Sequence, residues 1–267
     1  MSTPYMGKIP NVDLTTGTCT EKAIPDVVYE NVLSGMGLAA YLLYQRIPAG
    51  ADPLGPDNVL GFFSGLLTGT SSLFTGRWML ASKSPLTGGW GDANCGGNLS
   101  PALKRAGLDG IFVRGIAKTP KTLVVDDAEA RLEDAGDLWG MDCIETEDTF
   151  KSRLPDKGGK WQVACIGPAS EELSLISGVS NDRGRFAARS GVGAVMGSKK
   201  LKAIAVRGKT KIAVADKDAI VQLSKDFSFG LKKGEGMMKV LGNKVFRFLG
   251  KVGRHGPAMR QPADAFR

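Results

Sequence analysis

Between Asn181 and Lys200 the chain reads Asn-Asp-Arg-Gly-Arg-Phe-Ala-Ala-Arg-Ser-Gly-Val-Gly-Ala-Val-Met-Gly-Ser-Lys-Lys, and it passes directly into Leu201-Lys-Ala-Ile-Ala-Val. Few folds can use such a run. Glycines at 191, 193 and 197 let a backbone bend sharply or come close to another group. Arg183, Arg185 and Arg189 add forked, permanently charged donors that suit phosphate oxygens. The apolar hexamer that follows reads as a strand. A second stretch of the same character lies upstream, Gly76-Arg77 and then Ser84-Pro-Leu-Thr-Gly-Gly-Trp-Gly-Asp-Ala-Asn-Cys-Gly-Gly97. Two Arg/Asn/Gly clusters so far apart in sequence predict an extended anionic ligand gripped from two sides.

The remaining segments predict a mixed architecture. Lys8 to Leu14 with Thr15-Thr-Gly reads as strand, turn, strand. Asp26 to Tyr44 carries apolar residues at helical spacing, and the glycines at 35 and 37 predict a break in that helix. Val59 to Phe63 and Trp78 to Ser82 read as buried strands. Ser100 is the expected N-cap of a helix with Pro101 in its first turn. Gly110 to Gly115, Thr122 to Asp127, Gln162 to Gly167 and Leu201 to Arg207 read as strands, and Thr146 to Leu154 as a helix. No strict βαβ rhythm appears, so α+β is predicted over a doubly wound sheet.

Charge and cysteine usage narrow the function classes. Residues 199–267 carry 17 Lys and Arg against 5 Asp and Glu, and the rest of the chain carries 18 against 22. The formal net charge of +8 therefore resides in the C-terminal quarter. That quarter lacks an interleaved aromatic platform beyond Phe227, Phe229, Phe246, Phe248 and Phe266, so a basic, solvated or partner-facing surface is expected and not a nucleic-acid site. The run Gly191-Val-Gly-Ala-Val-Met-Gly197 misses dinucleotide-fingerprint spacing by one residue, and it is expected to lead into a strand without following one into a helix. Cys19, Cys95, Cys143 and Cys165 are widely spaced and the only histidine is His255, which argues against a disulfide framework and a zinc site. Cys143 and Cys165 are expected as small buried hydrophobes, and Cys95 as a space-filler in a loop. No apolar run approaches the ~20 residues of a membrane span, and the N-terminus lacks the layout of a secretory signal. A cytoplasmic protein without membrane contact is expected.

In order along the chain, Met6-Gly-Lys-Ile, Val12-Asp-Leu-Thr-Thr-Gly, Asp52-Pro-Leu-Gly-Pro-Asp-Asn58, Leu67-Thr-Gly-Thr70, Lys83-Ser-Pro-Leu-Thr-Gly88, Leu103-Lys-Arg-Ala-Gly-Leu-Asp-Gly110, Ala164-Cys-Ile-Gly-Pro-Ala169 and Gly191-Val-Gly-Ala-Val-Met-Gly-Ser-Lys199 through Gly208 resemble the N-terminal part of the aldehyde ferredoxin oxidoreductase family. The resemblance covers roughly residues 6–210. It implies a mixed-strand α+β base, residues 1–210, that binds a tungsten (or molybdenum) bis-molybdopterin, with 211–267 as the incomplete start of a following, mostly helical domain. By the same resemblance, Arg77, Asn94, Gly96, Arg185, Phe186, Ala188 and Arg189 contact the pterin, and Asn94 with the Phe186 backbone carbonyl ligates a bridging Mg²⁺.

The step reads Arg185-Phe-Ala-Ala-Arg189 where the family has Arg-Ala-Ala-Gly-Arg. Phe186 keeps its carbonyl in place only if its ring points away, and Ala188 fits only at negative φ. Met36 stands where many relatives have arginine. The implied chemistry is oxidation of an aldehyde to a carboxylic acid, with electrons passing to a [4Fe–4S] cluster and on to ferredoxin or an electron-transfer subunit. The cluster's grouped cysteines are absent from this sequence, so the cluster is expected from a continuation or a partner chain. No catalytic residue is assigned, because turns and caps explain Asp92, Asp109 and Asp182. The alternative expectation is a non-catalytic subunit that keeps the fold without the metal, and an oligomer is left open.

Overall fold

The computed structural model describes residues 3–155 and 159–230. His255, Phe246, Phe248, Phe266 and most of the basic C-terminal quarter lie outside the described residues. The chain divides into two compact units, Met1–Asp216 and Lys217–Arg267. In the second, residues 217–230 are helical.

The first unit is built on two six-stranded mixed sheets. The first sheet comprises β1 (Lys8–Asp13), β2 (Thr18–Ala23), β3 (Leu60–Ser64), β4 (Trp78–Lys83), β5 (Trp90–Cys95) and β6 (Gly110–Arg114), in the order β2-β1-β6-β3-β4-β5. The second comprises β7 (Lys121–Asp126), β8 (Glu129–Asp134), β9 (Gln162–Cys165), β10 (Val179–Asn181), β11 (Arg185–Ala187) and β12 (Leu201–Arg207), in the order β11-β10-β9-β12-β7-β8. Only β1 with β6 and β7 with β12 run parallel among the recorded pairs; the others are antiparallel.

Side-chain alternation along the strands sorts residues between layers. Phe62, Trp78 and Leu80 of the first sheet share one core with Leu123, Val125, Ile204 and Val206 of the second. On the outer face of the first sheet, Phe63, Met79 and Phe112 pack beneath α1 (Asp26–Val32) and α2 (Met36–Arg46). On the outer face of the second, Val124, Val163 and Ala205 pack with Phe150 of α4 (Cys143–Arg153). Each large apolar side chain buried in these layers contributes about 1.5–3 kcal/mol of apolar transfer. The capping box of α4, Asp142 to the Ile144 and Glu145 amides with Glu145 returning to Asp142, fixes where that helix starts.

Three expectations are corrected. The helix α3 (Leu99–Arg105) is preceded by Asn98, and Ser100 is not its cap. Ser100 is fully buried, with Oγ 3.2 Å from both Thr68 Oγ1 and the Arg77 carbonyl, so tertiary partners claim the hydroxyl. Cys95 ends strand β5 and does not sit in a loop. The glycine-rich run is a helix, α6 (Val192–Ser198), which follows β11. Its glycines serve packing: a Cβ at Gly197 would sit 1.9 Å from the Ser170 carbonyl oxygen in α5 (Pro168–Glu171). The predicted break in the first long helix is present, between α1 and α2.

Beneath the first sheet lies a buried polar hub. Asp109 Oδ2 accepts from the Met6 and Gly7 amides, each at 2.8 Å, and from the Tyr29 hydroxyl at 2.7 Å. Its Oδ1 takes Lys104 Nζ at 2.5 Å, and neither side chain of that pair reaches solvent. Every strong group here has a partner, as a dry interior requires. Asp109 is thus a tie between the N-terminal segment and the core, and not the turn or cap residue that the sequence suggested.

Candidate functional site

The β4–β5 hairpin and the β10–β11 hairpin belong to different sheets, and they meet at one corner. The β4–β5 register pairs Trp78 with Cys95 and Met79 with Asn94. Arg77, immediately before β4, is thereby laid beside Asn94: its Nε donates to Asn94 Oδ1 at 2.9 Å and its Nη2 reaches the Asn94 carbonyl at 3.3 Å. From the other sheet, the register that pairs Asn181 with Arg185 brings both to the Gly96 turn. A Cβ on Gly96 would stand 3.1 Å from Arg185 Nη1, so a side chain there would crowd the guanidinium. Arg77, Asn94, Gly96 and Arg185 therefore lie together at one corner, drawn from both of the distant sequence clusters.

Residues that the sequence did not tie to this corner hold it together, Asn181, Trp78 and Ser84 buried and Asp182 and Ser190 partly so. Asn181 is 1 % exposed. Its Nδ2 donates to the Gly96 carbonyl at 3.3 Å and its Oδ1 accepts from Cys95 Sγ at 3.3 Å. Trp78 Nε1 donates to the same Gly96 carbonyl at 3.1 Å. Asp182 Oδ2 accepts from the Asn98 amide at 2.8 Å and from Asn98 Nδ2 at 3.1 Å. A second stitch joins Ser190 Oγ to the Asp92 carbonyl at 3.1 Å and Ser84 Oγ to the Ser190 carbonyl at 2.9 Å. The only advance signal was that Asn181 and Asp182 head the arginine run.

The arginines divide sharply. Arg183 is committed to a salt bridge with Asp148. Arg185 and Arg189 are exposed and make no ion pair with a carboxylate among the described residues, and Arg77 meets only the amide and carbonyl oxygens of Asn94. Among the described residues neither the Arg185 nor the Arg189 side chain has a hydrogen-bond partner, and only Arg185 is placed against the Gly96 turn. Cys95 lies beneath: burial pushes its thiol up, and the charges of Arg77 and Arg185 oppose that shift. A thiol held protonated suits the space-filling role.

The two substitutions in the Arg185-Phe-Ala-Ala-Arg189 step are accommodated. Alternation along β11 sends Phe186 to the face opposite Arg185, where it borders a separate cavity with Cys143 and Ile144. Ala188 is not among the residues of positive φ, so the missing glycine costs no strain there. Met36 opens α2 and is exposed.

An exposed pair of guanidiniums, an amide and a cleared glycine turn, with Asp182 directed to Asn98, form a donor set that fits a phosphate-bearing group. Among the described residues no three His, Cys, Asp or Glu side chains converge to hold a metal ion by themselves. No helix among them is long and apolar enough to cross a membrane.

The fold and this corner define a two-sheet α+β base with a cationic rim at the junction of the sheets. Residues 9–208 match the family described as "Aldehyde ferredoxin oxidoreductase, N-terminal domain". The chain is 42% identical over 229 residues to the tungsten-containing aldehyde ferredoxin oxidoreductase of Pyrococcus abyssi, which covers 86% of this chain and 37% of that protein. It is 42% identical over 211 residues to that of Thermococcus kodakarensis, covering 79% of this chain and 34% of the relative. To the aliphatic sulfonate oxidoreductase WOR-like subunit of Pyrococcus furiosus it is 32% identical over 238 residues, covering 84% and 38%. The structure of the active site complex BamBC of benzoyl coenzyme A reductase with 1,5-dienoyl-CoA superimposes with a TM-score of 0.84 at 33% identity, over 88% of this chain and 36% of that one. The chain belongs to the aldehyde ferredoxin oxidoreductase family. It spans little more than a third of the length of these relatives.

Proposed function

We propose that this chain supplies the base on which a tungsten bis-molybdopterin rests in an oxidoreductase of the aldehyde ferredoxin oxidoreductase type. Arg77, Arg185 and Arg189 would hold the pterin phosphates, and the backbone at Gly96 and Ala188 would approach them. Asn94 Oδ1 accepts from both Nε and Nη2 of Arg77, so it would turn to a metal ion only by giving up one of those bonds. With the Phe186 carbonyl it would ligate an Mg²⁺ between the phosphates, an ion that takes few protein oxygens and leaves the rest to phosphate and water. When bound, the metal centre supplies the oxidation of an aldehyde to a carboxylic acid, with electrons leaving through a [4Fe–4S] cluster to ferredoxin or an electron-transfer subunit. The protein's part is to orient the cofactor and neutralise its phosphates, in the cytoplasm.

The observation that carries this reading is the convergence of Arg77 and Arg185, from opposite sheets and without carboxylate partners, on the Asn94–Gly96 turn. Its test is the tungsten and pterin content of anaerobically isolated protein, compared with the Arg77→Ala/Arg185→Ala variant. About one tungsten per chain in the parent and severe depletion in the variant are expected. Equal content in both would overturn the assignment of these arginines.

A second reading concerns the reaction and not the base. The likeness to a sulfonate oxidoreductase subunit and to a benzoyl coenzyme A reductase complex supports a non-aldehyde substrate on the same scaffold. Turnover of simple aldehydes by metal-replete enzyme with an artificial electron acceptor separates the two.

A further inference from the structure

Two cysteines that are 22 positions apart in sequence, and belong to different elements, meet on the far side of the β10–β11 hairpin. Cys143 is the first residue of α4, and Cys165 is the last of β9. Cys165 Sγ donates to the Cys143 carbonyl at 3.3 Å, which brings the two residues together. Cys165 is fully buried, and Cys143 is half-buried. A Cβ placed on Gly167 would come within 3.2 Å of Cys143 Sγ, so glycine leaves room beside that sulfur. Cys143 borders a cavity of about 500 Å³ whose wall includes Ile144, Pro168, Ile176, Ser180 and Phe186.

The surroundings favour the thiolate at Cys143 and disfavour it at Cys165. The hydrogen bond from Cys165 pulls the Cys143 thiol below its ordinary range; burial opposes this, and the Lys202 ammonium and a Ser180 hydrogen bond assist it. Lys202 is itself fully buried, donating to the Met141 carbonyl at 2.7 Å and to Glu171 at 2.5 Å. Asp142, the N-cap of α4, acts against the thiolate. Cys165 is pushed strongly upward by the hydrogen bond and charge of Cys143 together with burial, and Glu147 adds to this. One reactive sulfur facing a cavity with a protonated sulfur behind it is the arrangement of an attacking and a resolving cysteine.

We propose that Cys143 is a modification site for small hydroperoxides, and that Cys165 resolves the product as a reversible Cys143–Cys165 disulfide. The Cys143 thiolate attacks the peroxide oxygen, the O–O bond breaks, and the alcohol or water departs with a proton, leaving a neutral sulfenic acid. Loss of the thiolate charge removes the repulsion that kept Cys165 protonated. The Cys165 sulfur then gives up its proton and attacks the sulfenic sulfur, and water leaves. Two thiols are oxidised by two electrons, and one hydroperoxide is reduced. The cavity lies on the Phe186 side-chain face of β11, opposite Arg185, and shares Phe186 and Ala188 with the residues proposed to meet the pterin through their backbone.

The test is a non-reducing peptide map of the reduced protein after anaerobic addition of hydrogen peroxide. A Cys143–Cys165 linked peptide is expected, and it should vanish when dithiothreitol precedes digestion. In Cys165→Ser, a dimedone-reactive sulfenic acid should accumulate at Cys143. In the unmodified protein, iodoacetamide should label Cys143 about tenfold faster than Cys19, whose thiol burial pushes up. Recovery of both thiols unlinked while Cys19 is oxidised, or linkage of Cys143 to any other cysteine, would overturn the proposal.

Discussion

The Asp109 hub and the Arg77–Arg185 corner are both clusters of charge in the same compact unit, yet they are built in opposite ways. In the hub every donor and acceptor is matched inside the protein, and nothing is left to offer a ligand. At the corner two guanidiniums reach solvent with no carboxylate partner among the described residues, while Asn181, Trp78 and Asp182 are hydrogen-bonded within the protein. Internal satisfaction marks structure. Unmatched charge on a fully matched support marks a place where something else is to be bound.

The largest effect should come from breaking the hub. Asp109→Ala strands the Lys104 ammonium, whose pKa burial already lowers against the pull of Asp109, and should cost about 3–5 kcal/mol in urea unfolding. A loss below about 1 kcal/mol would show that water reaches Lys104.

The corner should respond in the reverse sense. Arg77→Ala and Arg185→Ala each remove charge-assisted contacts of about 1.5–3 kcal/mol to a bound phosphate, or roughly one to two orders of magnitude in cofactor retention. Unfolding of the cofactor-free protein should shift by no more than about 0.5 kcal/mol, as for other surface substitutions. A large loss of stability without loss of retention would erase the distinction between the two regions.

Lys199 sharpens the comparison, because it is a buried charge without a carboxylate in hydrogen-bond reach. Its Nζ donates to the Asn58 carbonyl at 2.5 Å and to the Gly115 carbonyl at 3.3 Å, and burial lowers its pKa to about 8 against partial opposition from Asp13 and Asp57. Below pH 8 the folded and unfolded states both carry this proton, so the cost of the buried charge is present in full. Between about 8 and the unfolded value of 10.5 the unfolded state binds more protons, and stability rises with pH. The gain is on the order of 1–3 kcal/mol. Comparing denaturation at pH 7 and 9.5 should show that slope in the parent and a flatter one in Lys199→Met.

The smallest effect is expected at Arg183, which shares the sequence run with Arg185 and is already paired with Asp148 on the surface. Arg183→Ala should change stability by about 0–1 kcal/mol and leave tungsten content unaltered. Depletion of tungsten by this substitution would extend the cationic rim past Arg185.

Much of the architecture was legible in advance where local chemistry decides it. The strands at Trp78 to Ser82, Gly110 to Gly115 and Leu201 to Arg207 and the interrupted helix after Asp26 lie where periodicity put them. The errors fell where a residue's partner is remote. Ser100 looked like a cap and is held by Thr68 and Arg77. The glycines of α6 looked suited to a ligand and instead admit the backbone of α5.

The sequence by itself determined most of the segments, their alternation between two faces, and the supply of arginine, asparagine and glycine at the proposed site, since these follow from near-neighbour geometry and side-chain chemistry. Only the tertiary structure decided that Arg185 stays unpaired while Arg183 does not, that Asn181 braces Gly96, and that Cys143 and Cys165 touch. Each of those outcomes depends on which groups complete one another's hydrogen bonds and charges through space. Strands from distant parts of the chain must pair in register before such partners come within reach.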